Sequence, residues 1–110
     1  MAVTPKSLSQ SQPGTGAGTL YTVPASTKTI VTSIILCNTT ATACWVSLSK
    51  VPNGGSQGVA NRIMNQLVVN PYQTVTFDLT LAMDTVGDFL SALAQTGSAV
   101  TVTVSGVEVT

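Results

Sequence analysis

The sequence predicts an all-β protein, an antiparallel two-layer β-sandwich of jelly-roll or immunoglobulin-like type with an extended N-terminal arm. Runs rich in Val, Ile and Thr recur at roughly ten-residue spacing and are separated by turn residues, as in sandwiches and barrels. The apolar periodicity of helices is nearly absent. A length of 110 residues suits one domain with a modest core.

Residues 1–19 are the predicted arm, and residues 20–110 are the predicted sandwich domain. The arm is rich in Pro, Gly, Ser and Gln, and its apolar side chains are short and widely spaced. Such a segment cannot drive packing of its own. A disordered tail and an arm that lies along a neighbouring subunit both fit this composition, and we favour the arm. Its predicted interface residues are Thr4, Leu8 and Pro13.

Seven strands are predicted after the arm, each a run of apolar and β-branched residues bounded by turn residues. They cover residues 20–23, 29–38, 44–51, 62–69, 74–81, 88–94 and 99–110. The second is apolar on both faces, which predicts a central position in its sheet. Turn residues after it predict that the second and third strands pair as a hairpin. The composition of the sixth would also suit a short helix, but we predict a strand.

The last predicted strand needs a bulge to keep one apolar face. The valines of segment 100–104 alternate on one side, and Val107 and Val109 join them only if one residue is absorbed at Ser105–Gly106. A glycine bulge is therefore expected there. The strand pattern does not decide between the jelly-roll and immunoglobulin-like topologies.

The side chains that most enzymes use are missing. The chain has no histidine, so the commonest general base and a Ser-His-Asp triad are both excluded. Cys37 and Cys44 cannot complete a zinc site within one chain and are expected to be free thiols, with a disulfide as the alternative. Asp84 and Asp88 flank a turn, where aspartate usually binds backbone amides. We therefore expect no enzymatic activity, no metal and no cofactor.

The charge distribution excludes other classes of protein. Charged residues make up only 7% of the chain, four basic and four acidic, and they do not cluster. Binding to a nucleic-acid backbone has no electrostatic basis, and the apolar runs are too short to span a bilayer. A net charge of zero gives weak protection against association, which favours an assembled state.

Three further residues are predicted to contribute to an interface. Trp45 points away from the apolar face of its strand, beside Val51, and large aromatics supply much of the energy at buried interfaces. Asn53 lies in the glycine-rich loop that follows. The alternative is that Trp45 covers the rim of the core. A carbohydrate-binding role for Trp45 and the tyrosines is a minor option, because aromatic residues make up only 5% of the chain.

Long stretches of the chain resemble a known group of proteins. The segment GTLYTVPASTKTIVTSIILCNTTATACWVSLSKVPNGGS, the turn at 84–88 and the closing SAVTVTVSGVEVT are similar to small virion proteins of tailed bacteriophages. The resemblance covers residues 18–110 and leaves out the arm. It implies a β-sandwich virion component, either a decoration protein on the capsid or an accessory piece of the neck, tail or fibre.

Together these observations predict a non-enzymatic structural component of a tailed-phage virion. The leading hypothesis is a capsid decoration or cement protein that stabilises the shell by binding across subunits. Its expected partners are further copies of itself, as a homotrimer or other homo-oligomer, and the major capsid protein or another virion protein. It would be made in the host cytoplasm and end in the virion. The alternatives are a neck, tail or fibre accessory protein, or a receptor- or glycan-binding module that uses Trp45 and loop 52–57.

Overall fold

A computed structural model describes residues 2–110 and contains eight strands and one short 3-10 turn at Val59–Asn61. The strands are β1 (Val3–Ser11), β2 (Gly18–Thr22), β3 (Lys28–Asn38), β4 (Cys44–Val51), β5 (Arg62–Val69), β6 (Thr74–Met83), β7 (Phe89–Ala94) and β8 (Val100–Val109). The prediction of an all-β antiparallel sandwich is confirmed.

The strands form two four-stranded sheets, in the orders β1-β8-β3-β6 and β2-β7-β4-β5. Strands equally far from the two ends of the chain pair with each other: β1 with β8, β2 with β7, β3 with β6 and β4 with β5. The chain is thus one long hairpin, with its tip between β4 and β5, rolled up so that successive pairs fall in alternate sheets. This arrangement is a jelly roll.

The core lies between the sheets, where side chains alternate inward from each strand. The central strands supply most of it, because both of their edges are paired. Its largest buried side chains include Val31, Ile34, Leu36, Val46, Leu48, Met83, Leu90, Val100, Val102 and Val104. The predicted central position of the second strand after the arm is correct, since β3 lies between β8 and β6.

The predicted hairpin between β3 and β4 is wrong, because the two strands lie in different sheets. The turn between them crosses from one sheet to the other and is held by the buried side chain of Asn38. Its Nδ2 donates to the carbonyl oxygens of Thr42 at 2.9 Å and Val69 at 3.0 Å. Its Oδ1 accepts from the Thr40 amide at 2.9 Å. Turn residues indicate a reversal of the chain, but they do not indicate which sheet the next strand joins.

The two cysteines are free thiols. Cys37 is half-buried on β3 and Cys44 is buried at the start of β4, so they belong to different sheets.

The predicted bulge at Ser105–Gly106 is also wrong. Burial alternates without interruption along β8, and the register shifts occur in its neighbours, near Leu8 of β1 and Thr32 of β3. As a result Glu108 faces inward, while Val107 and its alternate neighbours face outward. A Cβ atom at Gly106 would overlap the Ile30 carbonyl oxygen of β3, so this glycine is needed for a close approach of two strands.

The predicted arm, as far as the structure describes it, includes an edge strand of the sandwich. Residue 1 lies outside the described residues, and residues 3–11 form β1, which pairs with β8. This differs from the expectation of a segment outside the domain. Backbone hydrogen bonds to the edge of a strand require no apolar side chains, so the composition of the segment does not prevent the pairing.

Candidate functional site

One side of the sandwich is open. β5 pairs only with β4, and β6 pairs only with β3, although β5 and β6 follow each other in the chain. The outer edges of both strands are therefore unpaired. Such edges expose backbone donors and acceptors to a partner strand.

A cleft of about 410 Å³ lies between these two edge strands. Most of its lining is apolar, and it reaches down to Ile34 of β3. The lining residues are Ile34, Ile63, Met64, Asn65, Leu67, Phe77, Asp78 and Leu79. The inward-facing side chains of β6 from Val75 to Leu81 are only half-buried, because no strand closes this side of the molecule. The cleft is therefore apolar surface that the chain itself leaves partly uncovered.

The two edges of the cleft differ in regularity. In β5 the backbone of Gln66 has a φ of 50°. Its backbone amide donates to the Ser47 hydroxyl at 2.8 Å and not to a backbone carbonyl of β4. The β4–β5 register shifts on both sides of Leu48. β6 is a ten-residue strand with the exposed carboxylate of Asp78 near its middle. A charge at this position discourages uncontrolled edge pairing.

The opposite side of the sandwich is closed by a polar network. Glu108, only 9% exposed, accepts from Lys6 Nζ at 3.0 Å and from the Tyr21 hydroxyl at 2.5 Å. Tyr21 has one proton to give, so the Thr29 hydroxyl donates to it at 2.8 Å. The network joins β1, β2, β3 and β8, and thus ties the two sheets together.

The network changes the proton affinity of two of its members. Burial, together with the hydrogen bond to Glu108, raises the pKa of Tyr21 to about 12. The hydrogen bonds from Tyr21 and then Lys6 lower the pKa of the Glu108 carboxyl. The carboxylate accepts two charge-assisted or strong hydrogen bonds, one on each oxygen, and these hold β1 and β2 against β8.

Loops at one end of the sandwich are joined by Asp88. Its buried carboxylate accepts from the Asn53 amide at 2.9 Å, and its carbonyl accepts from the Val23 amide at 2.9 Å. Gly87 has a φ of +90°, and a side chain there would meet the side chain of Asn53. Asp88 thus binds backbone, as expected for a turn aspartate, while Asp84 is exposed.

Residues 2–110 contain neither a cluster of metal-ligating side chains nor a membrane-spanning helix. No three His, Cys, Asp or Glu side chains come together as a metal site in this range. Within the same residues, no helix has the length and apolar character needed to cross a membrane.

The structure separates the predicted interface residues into two groups. Thr4 and Asn53 are exposed, and Trp45 is half-buried on the outer face of its sheet. Trp45 lies opposite Val68, which is 57% exposed, so the two form an apolar patch. For these residues the interface role stays a prediction.

The other three predicted interface residues are used within the chain. Leu8 packs against the core, and Pro13 is buried. Val51 is fully buried, and the backbone of Gly55 in the following loop passes close to its side chain.

The sequence prediction missed the open cleft. A usable signal was present in β5, where Ile63 and Met64 are adjacent apolar residues and Leu67 and Val68 repeat the pattern. Apolar residues on both faces of a strand suggest a central position. At an edge strand, the same pattern leaves apolar surface exposed.

The fold and these surfaces define a small jelly-roll domain with unpaired strand edges on both sides, one side closed by side chains of the polar network and the other open as the apolar cleft. No protein-family profile matches the chain, and no curated protein does. Among solved structures, the chain is similar to one from infectious bursal disease virus, Gx strain, with 11% identity and a TM-score of 0.49. A second, from the Gt strain, has 8% identity and a TM-score of 0.47.

Both matches cover 97% of this chain, which spans about a third of each of those chains, 32% and 30% respectively. At TM-scores this low, the likeness carries no argument about function.

Proposed function

We propose that this protein is a non-enzymatic structural subunit of a virion, and that its open side is an assembly contact. The observation that carries the proposal is the apolar cleft between the unpaired edges of β5 and β6. Uncovered apolar surface and free strand edges favour association, and covering them stabilises an assembly. With charged residues at only 7% of the chain, little repulsion opposes that contact.

The virion location is supported by the motifs that resemble tailed-phage virion proteins, and a jelly roll is a common fold of viral shell domains. Within the virion, we propose a decoration or cement role, in which copies associate with one another, as a trimer or another oligomer, and with the major capsid protein. A protein that binds only the assembled shell stabilises it by mass action. Such a subunit is made in the host cytoplasm.

The first experiment tests the open side with two matched variants. Ile63 lines the cleft and is 40% exposed, whereas Val59 is 80% exposed and lies outside it. Ile63→Asp should abolish self-association, measured by light scattering and sedimentation velocity, because it removes apolar contact area and adds a second carboxylate to a cleft that already contains Asp78, so that two like charges would have to be desolvated together. Val59→Asp should associate like the wild type. Equal association of both variants, with unchanged circular dichroism, would refute the assembly contact.

The second experiment tests the location. Purified particles of the virus that encodes the chain should contain it in many copies, as counted by mass spectrometry. Particles assembled without it should release their DNA at a lower temperature. Absence of the chain from particles would refute the virion role. Unchanged heat resistance would refute the cement role in favour of a neck, tail or fibre position, and binding to a glycan array would favour a receptor-binding module.

A further inference from the structure

We propose that β1 is an exchangeable strand, which in the assembled protein pairs with β8 of a second copy. This inference rests on the proposed assembly role. The exchange takes place on the closed side of the sandwich, away from the cleft. β8 keeps the pairing with β1 that the structure shows, but the β1 strand comes from another chain. Exchange of an identical element between copies keeps its contacts and is a low-cost route to oligomers.

β1 is weakly held through its side chains. Seven of its nine residues are exposed, and Leu8 is the residue of β1 that packs against the core. Val3 is 58% exposed. The strand is therefore held mainly by its backbone ladder with β8, and its outer edge is unpaired. Few buried apolar contacts therefore oppose the release of β1. The Lys6–Glu108 pair, which release breaks, forms again when β1 of a second copy takes the same place.

The edge of β8 is complementary in charge to β1. Glu108 is a largely buried carboxylate that Lys6 of β1 reaches at 3.0 Å. Without a β1 strand in place, this carboxylate loses its cation and keeps only the Tyr21 hydroxyl. A buried carboxylate without a cation is costly, so the edge needs a strand that carries a lysine at this register. β1 of a second copy supplies that lysine.

The segment that follows β1 is fixed to the domain, so a hinge lies at the end of β1, before Pro13. Pro13 is buried, its carbonyl accepts from the Ser98 amide at 3.3 Å, and the next carbonyl, that of Gly14, accepts from Ala94 at 2.9 Å. The connection is thus anchored to its own domain just after Gln12. A residue that precedes proline is restricted to extended conformations. Because Gln12 stays extended, the hinge falls on Ser11, and a backbone rotation there swings the rest of β1 away as a straight strand while the connection from Gln12 onward stays in place.

β1 is long enough to reach a neighbouring copy. A nine-residue strand is roughly 30 Å long. The two shorter dimensions of the molecule are 26 and 18 Å. The longest dimension is 45 Å, so a released β1 clears its own domain when it points away from it, and can then lie along β8 of a copy packed beside it.

The test is a disulfide that forms between chains only if the strands are exchanged. Gln10 of β1 and Thr103 of β8 are cross-strand partners, and their side chains meet at 3.3 Å. One chain carries Gln10→Cys and a second, with a different affinity tag, carries Thr103→Cys. Both chains also carry Cys37→Ser, because Cys37 of β3 pairs with Thr101, two residues from Thr103 on β8, and could form an unwanted disulfide. Cys44 is buried and is left unchanged.

The two chains are co-expressed, oxidised and analysed on non-reducing gels. Exchange predicts a covalent heterodimer as the main cross-linked product. A chain with both cysteines serves as the geometric control, and Gln10→Cys paired with Thr85→Cys, at an exposed turn residue, measures random cross-linking. Ser7 and Ser105, which also face each other across β1 and β8, provide a second cysteine pair with the same expectation.

The proposal is overturned if heterodimer stays at the level of the Thr85→Cys control while the double-cysteine chain closes on itself. The result is separable from the proposed function. An oligomer that depends on Ile63 but shows no cross-chain disulfide would retain the assembly contact and reject the exchange. A strictly monomeric protein in solution would reject the contact itself.

Discussion

The close approach of β3 and β8 makes Gly106 the most sensitive glycine in the protein. A methyl group at this position would overlap the Ile30 carbonyl oxygen and lie 3.0 Å from the Val31 Cα atom. Both contacts are with backbone, so no side-chain rotation relieves them. To bring the methyl group and the oxygen to van der Waals distance, the two central strands would have to separate by roughly 1 Å.

The expected cost of Gly106→Ala follows from that separation. An opening of about 1 Å stretches neighbouring ladder bonds beyond hydrogen-bond length. Losing about two of them costs ~1 kcal/mol each, and strain in the surrounding core adds at least ~1 kcal/mol. We expect the free energy of unfolding to fall by about 3 kcal/mol, which corresponds to a Tm lower by roughly 15 °C for a domain of this size.

The assay is urea unfolding followed by Trp45 fluorescence and circular dichroism. Gly97→Ala is the matched control, because the nearest atom to a Cβ there is 4.0 Å away. It should change the free energy of unfolding by less than about 0.5 kcal/mol. If Gly106→Ala is equally mild, the uninterrupted register of β8 is refuted, and a bulge at Ser105–Gly106 becomes the better description.

Two further predictions concern the buried polar groups. The pKa of Tyr21 is raised from 10.0 to about 12, so its contribution to stability is complete below pH 10 and is lost as the pH rises towards 12. Between pH 10 and pH 12, the free energy of unfolding in urea should fall less for Tyr21→Phe than for the wild type, with exposed Tyr72→Phe as the control. The same dependence of this free energy on pH in Tyr21→Phe and the wild type would contradict the network with Glu108. Asn38→Ala removes the side-chain donor of the buried Val69 carbonyl and the acceptor of the Thr40 amide, and should cost about 2–3 kcal/mol in urea unfolding. Asn70→Ala, at an exposed turn, should cost little, and equal losses would refute the crossover role.

Strand positions were predictable because alternation is a local property. The predicted spans 44–51 and 62–69 coincide with β4 and β5, and the span 29–38 differs from β3 by one residue. Each depends on a run of β-branched and apolar residues that suits a pleated, half-buried surface. Pairing was not predictable in the same way. The turn after β3 contains ordinary turn residues, and only the bonds of Asn38 to Thr42 and Val69 show that the chain crosses to the other sheet.

The candidate site was less predictable than the fold. Trp45 was singled out as a large aromatic, and it does lie on an outer face, but Leu8 and Val51 are used inside the chain. Whether an apolar side chain is covered depends on loops and edge strands that are distant in sequence. The cleft beside Ile63 exists because β5 and β6 end their respective sheets without pairing.

The sequence alone determined the all-β class, the seven strands β2 to β8, and the absence of histidine-based chemistry. These properties depend on residue type and on contacts between near neighbours in the chain. Only the tertiary structure decided that the topology is a jelly roll, that Glu108 faces inward and that one side is open. A shift of one residue in register moves every side chain of a strand to the other face. The face and partner of each strand are therefore set by neighbours far away in the sequence.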